Sequence, residues 1–509
     1  MDIKIKRALL SVYYKNGLPD LAKSLNKFGI ELISTGGTAT FLEKLGLKVT
    51  KISDLTGFPE ILDGRVKTLH PAIHSGILAD KTKKEHLEEL KKFKFQPIDL
   101  VIVNLYPFEG VIENPCSMEE AIEYIDIGGP TLARAAAKNF KSTCVVMQPE
   151  DYPLLLKEME NGGISEEFRK KMAQKAFIIT SHYDYVISRY LNGGEEIFPN
   201  NLQLSLKRVL NLRYGENPHQ KGALYKLEGE KEGLCSFYQH QGKELSFNNF
   251  LDIESALRLI SNFEKNCCAI IKHNNPCGVA IGKTLEKAYI KAMDCDPLSS
   301  FGGIVAFNGK VNESLAEKLC EIFLEVIIAP SFEPKALELF SKKKNLRVIS
   351  LEIPNKRSDF DYKRVLGGFL VQEWEEHKEE RENFKVVTKN KPTEDEWKDL
   401  EFAWNVVKNV KSNGILFAKN LQTVAIGSGQ TSRVDSVKSA VLKAKLPLQG
   451  SVCASDGFFP FPDGVEEIYK AGARAIIQPG GSIKDKEVIE TANKLGISMV
   501  MTGCRHFRH

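Results

Sequence analysis

Cys267-Cys268-Ala269-Ile270-Ile271-Lys272-His273-Asn274-Asn275-Pro276-Cys277-Gly278 reads as a buried strand that delivers two adjacent proton-handling side chains into a turn of Asn, Pro and Gly. That geometry sets an imidazole, with an ordinary pKa of ~6.5, and an ammonium at the mouth of a sheet, where both can act on a ligand. The bland alternative is a satisfied core histidine beside a lysine whose stem lies along apolar surface. The apolar run before Lys272 and the turn after His273 favour a site.

Outward from this stretch, the second part of the chain keeps mixing strands with helices, and its Pro/Gly corners cluster at residues 274–278, 455–464 and 478–482. The first third alternates more plainly. A short apolar run over 8–12 is followed by Leu18, Leu21, Ala22, Leu25 and Phe28 at helical spacing, then by a second run over 30–33; runs at 100–103 and 144–147 continue the pattern. Such alternation predicts an α/β chain whose first domain is a parallel, helix-covered sheet. From 147 to about 210 the sequence turns helical and polar and ends in weak Gly193-Gly194 and Pro199-Asn200-Asn201 breaks, so a domain boundary is expected near residue 200. No short-period repeat is visible.

A chain of 509 residues is too long for one ordinary core, and 42% hydrophobic with 27% charged residues is the composition of a soluble globular enzyme. The +4 formal charge, from 70 basic and 66 acidic residues, is too balanced for a nucleic-acid binder. The Lys/Glu run over 81–94 reads as a solvated helix face. Ten cysteines without a C-x-x-C pair, and no hydrophobic leader ahead of Met1-Asp2-Ile3-Lys4, predict reduced thiols in the cytoplasm. No apolar run approaches the ~18 residues of a membrane span.

In the first domain, Ser34-Thr35-Gly36-Gly37-Thr38 stands between a strand and a helix-like segment. Two glycines allow close backbone approach, hydroxyls can donate, and free helix-start amides favour an anion, so a phosphate site is reasonable; a plain capped turn is about as reasonable. Asp63-Gly64-Arg65-Val66-Lys67-Thr68-Leu69-His70-Pro71 adds two cations, a hydroxyl and an imidazole; His74 reads as a packed or capping residue. Asn104-Leu105-Tyr106-Pro107-Phe108 leaves the carboxyl end of an apolar strand, the edge where open parallel sheets bind ligands. Asp126-Ile127-Gly128-Gly129-Pro130 then opens a helix carrying Arg134, Lys138 and Asn139, so Tyr106, Asp126 and Lys138 are expected in one pocket.

In the second domain, Arg213-Tyr214-Gly215-Glu216-Asn217-Pro218-His219-Gln220 reads as a binding loop rather than an ordinary Gly/Pro corner. Three tempting signatures fail. Gly278-Val279-Ala280-Ile281-Gly282-Lys283-Thr284 has too few residues between its glycines for a P-loop; Gly427-Ser428-Gly429-Gln430-Thr431-Ser432 ends in Ser and breaks the dinucleotide fingerprint; and His86-Leu87-Glu88 with Pro115-Cys116 lacks the second cysteine of a zinc deaminase. Neither NAD nor zinc is supported.

Taken in order, Asp63 to Pro71, Asn104 to Phe108, Asp126 to Gly129, Arg213 to Gln220, Lys272 to Gly278 and Ser455-Asp456-Gly457-Phe458-Phe459-Pro460-Phe461 make the chain resemble the bifunctional purine-biosynthesis family that joins phosphoribosylaminoimidazolecarboxamide (AICAR) formyltransferase to IMP cyclohydrolase. The resemblance implies an IMP cyclohydrolase domain over 1–200, with a methylglyoxal-synthase-like core over about 1–148, and a transformylase domain over 201–509 of two cytidine-deaminase-like α/β subdomains. It implies 10-formyltetrahydrofolate as co-substrate, no catalytic metal, and a homodimer with shared transformylase sites; it leaves room for a structural potassium ion. Small-molecule substrates are expected, with neither nucleic acid nor membrane as partner.

By the same resemblance, His273 is the base that activates the AICAR amine and Lys272 stabilises the oxyanion or protonates the leaving folate nitrogen. Arg213, Tyr214, Gly302, Glu325, Asn413 and Arg433 would hold AICAR, and Val434, Asp463, Ser482, Ile483 and Arg505 would contact folate. For ring closure, Lys138 would shuttle protons while Lys67, Tyr106 and Asp126 polarise or orient the reacting groups. Ser11, Ser34, Thr35, Gly36, Gly37, Thr38, Arg65, Thr68 and Asn104 would bind that substrate. Two departures stand out: Glu325 replaces the Asp of vertebrate relatives, and Ser11-Val12-Tyr13-Tyr14-Lys15 replaces Ser-Val-Ser-Asp-Lys, with a backbone amide left to replace the lost hydroxyl at Tyr13. A phosphate-sensing regulatory protein would explain residues 34–38 but not Lys272-His273. A transformylase with a decayed first domain is opposed by Lys67, Asp126 and Lys138, and a base deaminase fails on its zinc ligands.

Overall fold

The computed structural model describes residues 2–62, 65–193, 196–230, 232–264, 266–353, 360–375 and 379–509. Asp63 and Gly64 of the first-domain motif, and Gly194 of the expected break, lie outside them. The chain divides into two compact units, Met1–Ser205 and Leu206–His509.

The first unit is built on five strands, β1 (Arg7–Ser11), β2 (Glu31–Ser34), β3 (Val49–Lys51), β4 (Leu100–Val103) and β5 (Cys144–Val146), in the order β3-β2-β1-β4-β5. Every pairing is parallel, and Ala8 stands beside both Leu32 and Leu100. Helices cover both faces, which is why β4 is an unbroken Leu-Val-Ile-Val run with all four residues buried. Helix Leu18–Lys27 buries Leu18, Leu21, Ala22 and Leu25 as their spacing predicts, but it ends before Phe28, which is 44% exposed. Because β2 and β4 lie on opposite sides of β1, the carboxyl ends of β1 and β4 form the switch point where sheets of this kind open a crevice. The 81–94 segment forms helix Lys84–Lys92, exposed apart from Leu90 and the partly covered His86. Lys81 departs from the solvated-face expectation: its Nζ donates to Asp99 at 2.5 Å and to the Ser142 carbonyl at 2.6 Å.

The second unit begins with an antiparallel pair, β6 (Leu206–Leu212) and β7 (Gly222–Leu227), and then forms two six-stranded sheets. The first contains β8 (Tyr238–Gln241), β9 (Cys267–Lys272), β10 (Asn275–Ile281), β11 (Ile304–Phe307), β12 (Val326–Ala329) and β13 (Arg347–Ser350), in the order β10-β9-β11-β12-β13-β8. After an isolated hairpin, β14 (Phe360–Val365) with β15 (Gly368–Glu373), the second contains β16 (Lys385–Val386), β17 (Ile415–Ala418), β18 (Thr423–Gly427), β19 (Val452–Ser455), β20 (Ala475–Gln478) and β21 (Ser498–Met501), in the order β18-β17-β19-β20-β21-β16. The two sheets are the same object twice. Each starts with a hairpin, adds an antiparallel neighbour, then two parallel strands, then an antiparallel edge. Helices Phe247–Ile260 and Glu394–Val407, equal in length at 14 residues, precede the two hairpins. One shared core joins the halves, with Ile271, Val279 and Ile304 from one and Trp404, Leu416 and Ala454 from the other.

The duplication extends to the turns. β9 and β10 are joined by His273 and Asn274 with φ of 52° and 61°, and β17 and β18 turn through Asn420 and Leu421, both at 56°. Left-handed backbone at both central positions is what a right-twisted hairpin requires of a two-residue turn. An aspartate holds each one: Asp252 accepts the Asn274 amide at 2.6 Å, and Asp399 accepts those of Asn420 at 2.8 Å and Leu421 at 2.7 Å. Among the described residues no helix is long and apolar enough to cross a membrane.

Candidate active sites

The first site lies at the carboxyl ends of β1, β2 and β4. Asn104, immediately after β4, accepts the amides of Tyr13 and Tyr14 on Oδ1 at 2.5 and 3.2 Å, tying the loop after β1 to the one after β4. Of the backbone amides that could replace the hydroxyl lost at Tyr13, those of Tyr13 and Tyr14 are thus already engaged. Ser34 and Thr38 also face inward: Ser34 Oγ donates to the Leu10 carbonyl at 2.7 Å, and Thr38 Oγ1 donates to that of Val12 at 2.9 Å while accepting from Lys15 Nζ at 3.0 Å. These two hydroxyls, expected on a ligand, brace the sheet edge instead. What faces the crevice is the start of helix Gly36–Lys44, with its unpaired first amides. A Cβ on Gly36, left-handed at φ 48°, would stand 3.5 Å from Lys67 Nζ. Lys67 lies 3.9 Å from Glu60, whose carboxylate accepts the Thr35 hydroxyl.

Asp126 completes this group. Its carboxylate accepts the Gly129 amide at 2.8 Å at the mouth of helix Gly128–Lys138, and its own amide donates to Tyr183 Oη at 2.8 Å. Thr68 Oγ1 reaches the same place, 2.9 Å from where a Cβ on Gly128 would stand. Burial pushes the Asp126 carboxyl above its ordinary pKa, and bonds from the amides of Gly129, Tyr106 and Gly128, with the positive charge of Lys67, only partly offset it. The Tyr106 phenol is raised by burial and by the charges of Asp126 and Glu60. Lys67, Thr68, Tyr106 and Asp126 therefore share one crevice with the Gly36-Gly37 amides: cation and helix start suit a phosphate, and a carboxyl with a raised pKa suits proton transfer.

Two expected members are elsewhere. Arg65 is exposed and paired with Glu123. Lys138 is exposed at the last position of helix Gly128–Lys138, whose first turn holds Asp126. At ~1.5 Å rise per residue the intervening helix sets it roughly 14 Å from Gly129. The expectation that Tyr106, Asp126 and Lys138 meet in one pocket is therefore corrected within a single chain: a regular helix keeps the lysine at the far end. His70, not His74, caps the following helix, its Nδ1 accepting the Ala72 amide at 3.1 Å.

In the second unit Lys272, Gly303 and Glu325 stand in a row at one end of a sheet, with Gly302 one residue beyond, set there by register: Ile271 pairs with Ile304, and Ile304 with Val326. Lys272 Nζ donates to the Phe301 carbonyl at 2.8 Å, the Glu325 amide donates to the Gly303 carbonyl at 3.0 Å, and Arg347 donates to the Glu325 carboxylate at 2.6 Å. Lys272 and His273, with Asp296 and Ser428, line a cavity of about 180 Å³. Cys277 and Cys295 also line it, but burial pushes both thiols up to about 12, which keeps them neutral and unreactive.

A larger cavity, about 480 Å³, is lined by Asn413, Arg433, Val434, Asp463, Phe458 and Phe461 among others. Arg433 is fixed by Asp456 at 2.6 Å, Ser455 Oγ at 2.7 Å and Asn413 Oδ1 at 2.7 Å. Gly457 is required here, since a Cβ would stand 2.6 Å from Arg433 Nη2. Arg505 lies 4.7 Å from the ring of Phe507, which lines the same cavity. Ser482 accepts the Lys484 amide at 3.1 Å and Ile483 is fully exposed; neither lines this cavity. Arg213, stacked 5.4 Å from Tyr214, lines neither cavity, and nor does Tyr214. Sequence reasoning missed Asp252 and Glu60. Only the spacing of Asp252 to His273, repeated between Asp399 and Asn420, could have pointed to the first.

A model of the MGS-like domain matches residues 17–131, and one of the AICARFT/IMPCHase bienzyme matches 136–443. The chain belongs to the AICARFT/IMPCHase bienzyme family. The bifunctional purine biosynthesis protein PurH of Caldicellulosiruptor saccharolyticus is 51% identical over 99% of this chain and 100% of its own length. PurH of Aquifex aeolicus is 50% identical over the same shares. A solved structure of ForH aligns at 33% identity with 38% of this chain and 99% of its own, at a TM-score of 0.34, too low to bear on the fold. A bienzyme of this family is an AICAR formyltransferase, using a folate-derived formyl donor, and an IMP cyclohydrolase of purine biosynthesis.

Proposed function

We propose that this bienzyme performs formyl transfer at Lys272 and His273 and ring closure in the crevice of Lys67, Tyr106 and Asp126, so that residues 1–200 carry the cyclohydrolase and 201–509 the transformylase. The observation that carries the reading is the His273 turn, an imidazole on a rigid hairpin tip beside Lys272, with the Asp252 carboxylate beneath it.

The AICAR 5-amino group is a poor nucleophile because its lone pair is drawn into the ring. As it attacks the formyl carbon of 10-formyltetrahydrofolate, a C–N bond forms and His273 takes the amine proton. The Lys272 ammonium stabilises the oxyanion, and collapse breaks the bond to the folate nitrogen, which takes a proton back. Asp252 is placed to balance the imidazolium. In the second reaction the carboxamide nitrogen attacks the formyl carbon of its own molecule and water leaves. Holding the reactive rotamer supplies much of that acceleration. Lys67 and the Gly36-Gly37 amides hold phosphate, and Asp126, with its raised pKa, handles the proton. Lys138 has no place in the crevice of its own chain.

A cytoplasmic homodimer completes the reading. Phe301 and Phe323, 57% and 45% exposed, flank Gly302, which fits a partner covering this end of the sheet. The Lys272 group and the Arg433 cavity are separate in one chain, which fits sites shared between subunits.

The test begins with purified protein, AICAR and 10-formyltetrahydrofolate, followed by chromatography, with IMP as the expected product. His273→Ala should abolish formyl transfer and keep cyclisation of supplied formyl-AICAR, and Lys67→Ala should do the reverse. Loss of both activities in either folded variant would overturn the division.

A further inference from the structure

The turn that presents His273 carries a support its twin lacks. In both halves an aspartate accepts turn amides, and both turns keep their two central residues left-handed. At the offset that relates the two aspartates, Ser255 corresponds to Phe402 and Asn274 to Leu421, neither of which can make a side-chain hydrogen bond. In the half that bears the histidine, Ser255 is 2% exposed, and its hydroxyl donates to Asn274 Oδ1 at 3.2 Å while accepting from Arg508 Nη2 at 2.8 Å.

Arg508 is itself fixed from the other side. Its Nη1 donates to the Asn409 carbonyl at 3.2 Å, its amide donates to Ser412 Oγ at 3.2 Å, and its carbonyl accepts the Ser412 amide at 2.9 Å. A guanidinium held at both ends bridges segment 409–412 to the turn, across a wide separation in sequence. The twin's turn is bridged through its backbone, the Asn420 carbonyl accepting from Lys291 Nζ at 2.8 Å and the Leu421 carbonyl from the Ile281 amide at 3.0 Å, whereas the turn of His273 is gripped by the Asn274 side chain. Left-handed backbone is disfavoured for residues with side chains and persists where its surroundings over-determine it, which makes the aim of His273 sensitive to what touches Asn274.

We propose that Arg508 is a positioning residue for formyl transfer, acting through Ser255 and Asn274 to fix the turn that aims His273. The inference rests on His273 being the base. Ser255→Ala, Arg508→Met and the double variant are compared in the full-length protein for formyl transfer, with cyclisation of supplied formyl-AICAR as the control of folding. Each single variant should lower kcat about tenfold with KM little changed, and the double variant should be no worse than the more damaging single one, because one chain of contacts is cut in two places. Cyclisation should stay at the wild-type rate. Unchanged kcat, a loss confined to KM, or multiplying effects in the double variant would overturn it. If Arg508→Met fails to fold, Ser255→Ala, which removes one hydroxyl, decides alone. His273→Ala separates the two failures: if it retains formyl transfer the underlying reading falls, and if it abolishes transfer while Ser255→Ala does nothing, only the role of Arg508 falls.

Discussion

Gly129→Ala is a sharp probe of the first site, because it moves one carboxylate and removes no ionisable group. A Cβ at Gly129 would stand 2.4 Å from Asp126 Oδ2 and 2.9 Å from Leu105 Cδ2. Non-bonded heavy atoms settle at roughly 3.5 Å, so the carboxylate must retreat by about 1 Å, away from the Gly129 amide that now orients it. Misplacement of that size costs roughly 10²-fold in rate, or about 2.7 kcal/mol of barrier. Alanine gains about 1 kcal/mol over glycine within a helix, which offsets part of the packing strain and keeps the unit folded. The assay is IMP formation from supplied formyl-AICAR, with formyl transfer as internal reference and Gly110→Ala, whose added Cβ meets nothing within 4 Å, as control. Wild-type cyclisation in a folded Gly129→Ala protein would refute the placement of Asp126 at the reacting groups.

Glu60→Gln should lower the KM of cyclisation about threefold, since its carboxylate stands beside Thr35 and Lys67 where phosphate is expected and repels it; an unchanged or raised KM would remove the phosphate from that place. Glu379 is pushed up by burial, but bonds from His506 at 2.6 Å and from Lys408 outweigh this and hold it at about 2. A carboxyl held below its ordinary ~4.3 contributes stability that is present above that pH and lost as pH falls toward the folded value. Glu379→Gln should therefore weaken the protein near neutrality and flatten the decline of its urea midpoint between about pH 5 and pH 3, and parallel curves for variant and wild type would contradict the pairing.

Runs such as Leu-Val-Ile-Val of β4 were legible because burial on both faces leaves no polar position to blur the signal. Phe28 was misread because helical spacing says nothing about where a helix stops. Lys67, Tyr106 and Asp126 could be grouped from their places after strands, whereas Lys138 was drawn in by its chemistry although it closes an eleven-residue helix that Asp126 opens. Ser34 and Thr38 look like ligand hydroxyls in sequence, and only the structure shows them turned onto the carbonyls of Leu10 and Val12. Asp252 left no local signal: it is one of two acidic residues on its helix, and its partner is an amide beyond the following strand.

The twin turn at Asn420 and Leu421 offers the bench a vacant lot. Asn420 is exposed, its backbone is pinned by Asp399, and at the offset that relates the two aspartates it corresponds to His273. A fluorophore or spin label attached there would ride on a stiff mount of known orientation, undistorted by linker wobble at the backbone. The protein thus brings its own calibrated reporter position, paired by pseudo-symmetry with the very group whose motion one would wish to time.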